Sequence, residues 1–163
     1  MMVSVGTEVG AAPSRRADIL RATWELLATT GASHLTIRRV AQGAAVDPAL
    51  IYHYFGSKRG LLGAARDMPE GLSDILKAQR GPLERLRILQ TPPWATWVSA
   101  LVASVIDDRE DALRSLHELI ASVDTNGALP RLALLGFFAD RFLLHVWSAG
   151  PDPAAPFDHE LLR

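Results

Sequence analysis

Between positions 46 and 62 the chain reads VDPALIYHYFGSKRGLL. Two phenols (Tyr52, Tyr54), an imidazole (His53), an ammonium (Lys58) and a guanidinium (Arg59) fall within eight residues of one another. So many aromatic and basic groups in one short stretch suit a partner outside the protein, and the chemistry they point to is recognition. Phenolic hydroxyls and Lys58 can donate to phosphate oxygens and set a register on a duplex. His53 can reach a base edge, and Ala49 and Leu50 can touch thymine methyl groups.

Bond-making chemistry is poorly served elsewhere. HELIA, at His117–Ala121, begins like a zinc-protease helix, but Ala121 stands where the second histidine is needed. The run DDRED, at Asp107–Asp111, gathers carboxylates without a placed histidine and reads as a solvated helix start. His34, His145 and His159 are isolated, and neither a phosphate-binding glycine loop nor a serine elbow occurs. With no cysteine, disulfides and thiolate metal sites are excluded. The expectation is a protein without catalytic residues, metal or cofactor.

Helices must position the recognition groups, and the fold class expected is all-α. Ser14 is a good N-cap for a first helix to Thr30, where Ile19, Thr23, Leu26 and Leu27 keep the helical period, Leu20 and Trp24 widen it, and Gly31 ends it. Thr36 caps a second helix with Ile37, Val40 and Ala41 inward. Asp47 caps a third, with Pro48 in its first turn and Val46 and Ile51 at the positions of a hydrophobic staple. Ser57 caps a fourth, SKRGLLGAARDM, ended by Pro69. Two short helices joined by so tight a turn form either an ordinary helical hairpin or a helix-turn-helix, whose second helix enters the DNA major groove.

The side chains favour the second. With Ile51 and Phe55 inward, the opposite face of the third helix carries Pro48, Ala49, Leu50, Tyr52, His53 and Tyr54. Arg38 and Arg39 occupy the first turn of the second helix, where the helix dipole disfavours cations by roughly 0.3 kcal/mol or more. A phosphate nearby reverses that sign, although simple solvation also accommodates Arg39. Residues 1–66 carry eight Lys or Arg against four Asp or Glu, and the remainder nine against fourteen. The net charge of −1 therefore hides a basic N-terminal part, as a polyanion partner requires.

Residues 14–66, through ILRATWELLATTGASHLTIRRVA and LIYHYFGSKRGLL, resemble the DNA-binding domain of the TetR family of bacterial transcriptional regulators. The resemblance implies a homodimer on a palindromic operator, with a helical C-terminal part that dimerises and often binds an effector. It implies that Thr36 and Arg38 approach DNA, that Pro48, Ala49, Leu50 and His53 read sequence, and that Tyr52, Tyr54 and Lys58 hold phosphates. The chain also departs from the family pattern. Ala45 replaces the turn glycine, at a cost on the order of 1 kcal/mol if it must be left-handed. Asp47 stands where serine is common, Leu50 where a small or hydroxylated residue is usual, and Pro69 and Gly71 break a fourth helix that is often longer.

Beyond that break, LSDILKAQ, PLERLRILQ, Trp94–Ile106, EDALRSLHELIASV and PRLALLGFFADRFLLHVWSAG read as further helices. The 13-residue apolar run from Trp94 to Ile106 is too short to span a bilayer, which takes about 20 residues. Leu132, Leu135, Ala139, Phe142 and Val146 repeat at three and four, with Gly136 allowing close approach, and Leu113, Leu116, Ile120 and Val123 repeat the pattern one helix earlier. Such seams fit a four-helix bundle across a two-fold axis or internal core packing. Trp94, Trp97, Leu101, His117 and Phe138, with Phe137 and Trp147 nearby, fit either an apolar effector pocket or plain core.

The organisation expected is thus a disordered tail over 1–13, a three-helix DNA-binding domain over 14–66, and a helical dimerisation and effector domain over 67–163. Without a signal-peptide pattern the expected location is cytoplasmic, with no membrane partner. The function expected is a repressor released from a palindromic operator by a small apolar ligand. A DNA-binding dimer without an effector is the alternative, and a helical enzyme or carrier a remoter one.

Overall fold

The computed structural model describes residues 14–107, 109–127, 134 and 136–140, and every regular element among them is helical. In chain order these are α1 (Arg15–Thr30), α2 (Ile37–Gly43), α3 (Pro48–Phe55), α4 (Lys58–Arg66), α5 (Leu72–Lys77), α6 (Pro82–Leu89), α7 (Trp94–Asp107) and α8 (Arg109–Val123), with further helical residues at 134 and 136–140.

Local chemistry accounts for the helix starts. Ser14 accepts from Ala17 N, Thr36 from Arg39 N, Asp47 from Ala49 N and Ser57 from Gly60 N, at 3.3, 3.2, 2.7 and 3.0 Å. Each such cap contributes about 1 kcal/mol by satisfying a backbone donor that has no partner inside the helix. Gly31 ends α1 at φ 73°, its N–H bonded to Leu27 O at 3.1 Å. The fourth helix is shorter than expected. It stops at Arg66 because Asp67 turns to an extended backbone (φ −59°, ψ 148°), and Gly71 at φ 79° then starts α5.

α1 and α7 are the spine. They pack along each other, with α2 and α4 against α1 and α8 against α7. The first four helices and the C-terminal ones therefore share one apolar cluster, running from Ile19, Leu27, Ile51 and Leu61 to Trp97, Leu101 and Leu119. Burying each of these side chains stabilises the fold by roughly 1.5–3 kcal/mol. Polar ties cross the cluster. The Trp24 indole donates to Ala65 O at 2.9 Å, joining α1 to the end of α4. The Arg85 guanidinium donates to Leu76 O, Val123 O and Thr125 Oγ1, each at 3.0 Å, and so closes the carbonyl ends of α5 and α8 together.

No helix among the described residues is long and apolar enough to cross a membrane. The tail 1–13 and the residues Leu132, Leu135, Phe142, Val146, His145, Trp147 and His159 lie outside the described residues.

Candidate nucleic-acid interface

The turn between α2 and α3 sets the angle at which α3 is presented. Val46 N donates to Ala41 O at 3.0 Å and Ala45 N to Gln42 O at 3.3 Å, the paired closure of a Schellman motif. That closure needs a left-handed residue, and Ala45 supplies it at φ 52°. Val46 packs half-buried on the core and Ile51 is fully buried, so the staple pins the start of α3.

The face of α3 away from Ile51 is open. Tyr52 is 52 % exposed and Tyr54 42 %, and Pro48, Ala49 and His53 are exposed as well. His53 and Tyr54 meet edge to face at 5.4 Å between ring centroids, which limits the freedom of both rings. Two residues depart from the expected division. Leu50 is half-buried and packs on the core, so only part of its side chain faces outward. Phe55 is also only half-buried, and the Arg16 guanidinium lies over its ring at 5.4 Å.

Cations flank this face. Arg38 is exposed. Arg39 is exposed too, but its guanidinium donates to His34 O at 3.1 Å, which ties the loop before α2. Thr36 holds the α2 cap with its hydroxyl. Lys58 opens α4 and donates to Ala32 O at 3.3 Å, leaving donors for a second partner.

Two carboxylates read from sequence as solvated prove to be structural. Asp107, the last residue of α7, accepts from Ala32 N at 2.8 Å. Asp111 Oδ2 lies 3.8 Å from Arg66, a buried guanidinium at the end of α4. Ala32 is thus held on both sides of its peptide, by α7 and by α4. Nothing local in DDRED signals this, because the partners lie some 45 to 75 positions away in sequence.

The expected C-terminal sites divide. On α8, Leu113 is exposed and Leu116 and Ile120 are half-buried, whereas Val123 belongs to the core with Ala112 and Leu119. Gly136 and Ala139 are exposed. Trp97 and Leu101 are each 1 % exposed within the core, Trp94 and Phe138 are half-buried, and Phe137 and Phe138 meet edge to face at 5.1 Å. His117 is exposed on the side of α8 opposite its buried residues, so it is neither a core histidine nor placed beside Trp97. Trp94 lines a cavity of about 280 Å³ bordered by Leu20, Trp24 and Pro69. Among the described residues no acceptor reaches the buried Trp97 indole N–H.

Comparison with known proteins agrees with the geometry of the first four helices. Residues 19–65 match the model of a family described as bacterial regulatory proteins, tetR family. The chain is similar to the HTH-type transcriptional regulator BetI 2 of Chromohalobacter salexigens, 40 % identical over 78 residues, covering 47 % of this chain and 38 % of that protein. It is similar to the regulator BetI of Cronobacter sakazakii, 38 % identical over 77 residues, with the same two coverages of 47 % and 38 %. A longer match, 28 % identical over 138 residues, joins 84 % of this chain to 68 % of the BetI regulator of Klebsiella pneumoniae. The chain spans about two fifths of the length of the first two relatives.

Proposed function

We propose, from the match of residues 19–65 to the tetR family of bacterial regulatory proteins, that the chain is a regulator of that family, that it binds double-stranded DNA through α3, and that it represses transcription as a homodimer on a palindromic operator. The observation that carries the reading is the open face of α3, whose aromatic and imidazole side chains stand exposed between the cations of α2 and α4. In this reading Tyr52, Tyr54 and Lys58 hold phosphates, with Thr36, Arg38 and Arg39 beside them. Pro48, Ala49, His53 and the outward part of Leu50 meet base edges. Residues 14–66 read DNA, and residues 67–163 dimerise and respond to a ligand.

Dimerisation is assigned to α8 and the segment after it. Leu113, Leu116 and Ile120 form a stripe that the core leaves partly uncovered, and Gly136 and Ala139 offer small exposed surfaces. Leu132, Leu135, Phe142 and Val146 complete the proposed seam from outside the described residues. A small apolar effector is assigned to the region of Trp97 and Phe138, with Trp94 and Leu101 beside them. The buried indole N–H of Trp97 supports this, since a ligand acceptor would satisfy it. For release, the effector must favour the DNA-incompetent spacing of the two α3 helices, because equal affinity for both shifts nothing.

Burial of Trp97 and Leu101 at 1 % exposure supports a second reading, a DNA-binding dimer with no apolar effector. Selection of bound duplexes from a random library, and then anisotropy across a salt series, tests the main proposal. A palindromic preference with salt-weakened binding is expected. Binding without sequence preference, or none at low salt, would overturn it.

A further inference from the structure

Lys58 stands at the first helical position of α4, where the helix dipole disfavours a cation. Its ammonium is held there all the same, donating to Ala32 O at 3.3 Å from a half-buried side chain. A lysine carries its charge on a flexible four-carbon stem, so it aims at one place only where an acceptor is fixed for it. The acceptor here lies 26 positions earlier, in the turn between α1 and α2.

That carbonyl is itself anchored. Ala32 is buried, and its O also accepts from Leu35 N at 3.3 Å, which closes the turn on a side chain wholly inside the core. On the other side of the Ala32 Cα, its N–H donates to Asp107 Oδ2 at 2.8 Å. Such a bond from backbone to carboxylate is short and roughly twice as strong as a neutral one. Asp107 comes from the end of α7, 75 positions away. Because α1 and α7 pack along each other, the spine of the fold brings this carboxylate to the turn. Nothing within residues 14–66 supplies it.

We propose that Asp107 is a positioning residue for DNA binding. Its carboxylate fixes the Ala32 backbone, and the Ala32 carbonyl fixes the Lys58 ammonium. The two remaining donors of Lys58 are then presented to a phosphate, with the side chain ordered before the duplex arrives. This rests on the phosphate role given to Lys58 above. Simple electrostatics makes the opposite prediction for Asp107, because taking a carboxylate from a protein that binds a polyanion should tighten binding.

Two variants of the full chain separate these readings. Asp107→Ala removes the acceptor, whereas Asp107→Asn keeps an acceptor oxygen for Ala32 N without the charge. In the DNA-free protein, NMR relaxation at the Lys58 Cε methylene should report a more mobile side chain in Asp107→Ala and native order in Asp107→Asn. Affinity for duplex DNA is then measured by anisotropy and counted per folded molecule from urea unfolding of each variant. Asp107→Ala should bind all duplexes about twofold to tenfold more weakly, the cost of ordering one long side chain. Asp107→Asn should bind at least as tightly as the native chain. In a Lys58→Ala background the loss from Asp107→Ala should vanish, since both act through one contact. A merely structural tie would lower the urea midpoint and leave Lys58 order and affinity per folded molecule unmoved. That result, equal affinities for the alanine and asparagine variants, or a loss that persists without Lys58 would each overturn the proposal. Native-like DNA binding by Lys58→Ala would instead overturn the phosphate role of Lys58, and the relaxation data alone would then decide whether Asp107 positions it.

Discussion

Ala45 adopts φ 52° to close the turn before α3, a conformation that costs an L-residue with a Cβ roughly 1–2 kcal/mol. Glycine there removes that strain but loosens the unfolded chain by about 0.4–1 kcal/mol. The first term is larger, so Ala45→Gly should stabilise the protein by about 0.5–1 kcal/mol, read as a higher urea midpoint at unchanged slope. A lower midpoint would mean that the turn tolerates alanine without strain. Lys58 is the second test at this scale. Its proposed partner is a phosphate, which carries no sequence information. Lys58→Ala should weaken all duplexes alike and reduce the salt slope by about 1, as measured by anisotropy between low and moderate salt. A loss confined to certain sequences would move Lys58 from backbone to bases.

At the scale of the element, the cap of α3 combines two roles that a single substitution separates. Asp47 accepts from Ala49 N and also places a carboxylate beside the proposed DNA surface. Serine caps as well as aspartate but carries no charge. Asp47→Ser should therefore leave the unfolding free energy within a few tenths of a kcal/mol while tightening binding to every duplex. Asp47→Ala should bind as tightly per folded molecule but lose about 1 kcal/mol of stability. Unchanged affinity in both variants would place Asp47 away from the phosphates. Arg85 is the comparable element-level residue in the C-terminal part. It holds the ends of α5 and α8 through three donors, and Arg85→Met keeps most of its bulk without them. A loss of about 2 kcal/mol in denaturant unfolding is expected from charge-assisted bonds of this kind.

For the whole molecule, the proposed dimer makes its own prediction about which apolar surface meets a second copy. Leu113 is 36 % exposed on α8, too exposed for its replacement to disturb the core. Leu113→Arg should yield folded monomers that hold a palindrome poorly, because one chain spans one half-site. A variant still dimeric by sedimentation at micromolar concentration would place the seam elsewhere. Trp97 tests the response. Trp97→Phe removes the buried donor and keeps one six-membered aromatic ring, so the fold and effector-free DNA affinity should persist while the proposed apolar effector loses its anchor. Trp97→Ala, by contrast, should cost about 3–5 kcal/mol as a large core cavity. Contacts between the N-terminal and C-terminal helices do not run through α4 alone. α1 lies along α7, and Asp107 and Asp111 reach across to Ala32 and Arg66.

What was legible in the amino-acid order is what depends on neighbours a few positions apart. Caps at Ser14, Thr36, Asp47 and Ser57, the stop at Gly31, the break at Pro69 and Gly71, and the apolar period of each helix are local properties. So is the LIYHYFGSKRGLL motif that carries the resemblance to the tetR family, because its aromatic and basic side chains lie on one short helix and the turn after it. The strained turn was readable too, since a non-glycine at Ala45 raised the question that φ 52° answers. Tertiary structure alone decided which charges are partnered across the fold. Asp107 and Asp111 look like any solvated acidic run until α7 and α8 are set against α1 and α4. Burial was decided in the same way. The period that marks Leu50, Phe55, Trp97 and His117 gives the direction of each side chain about its own helix. Whether a neighbouring helix covers that direction depends on contacts made between helices, and these bury Trp97 completely, Leu50 and Phe55 by half, and His117 not at all.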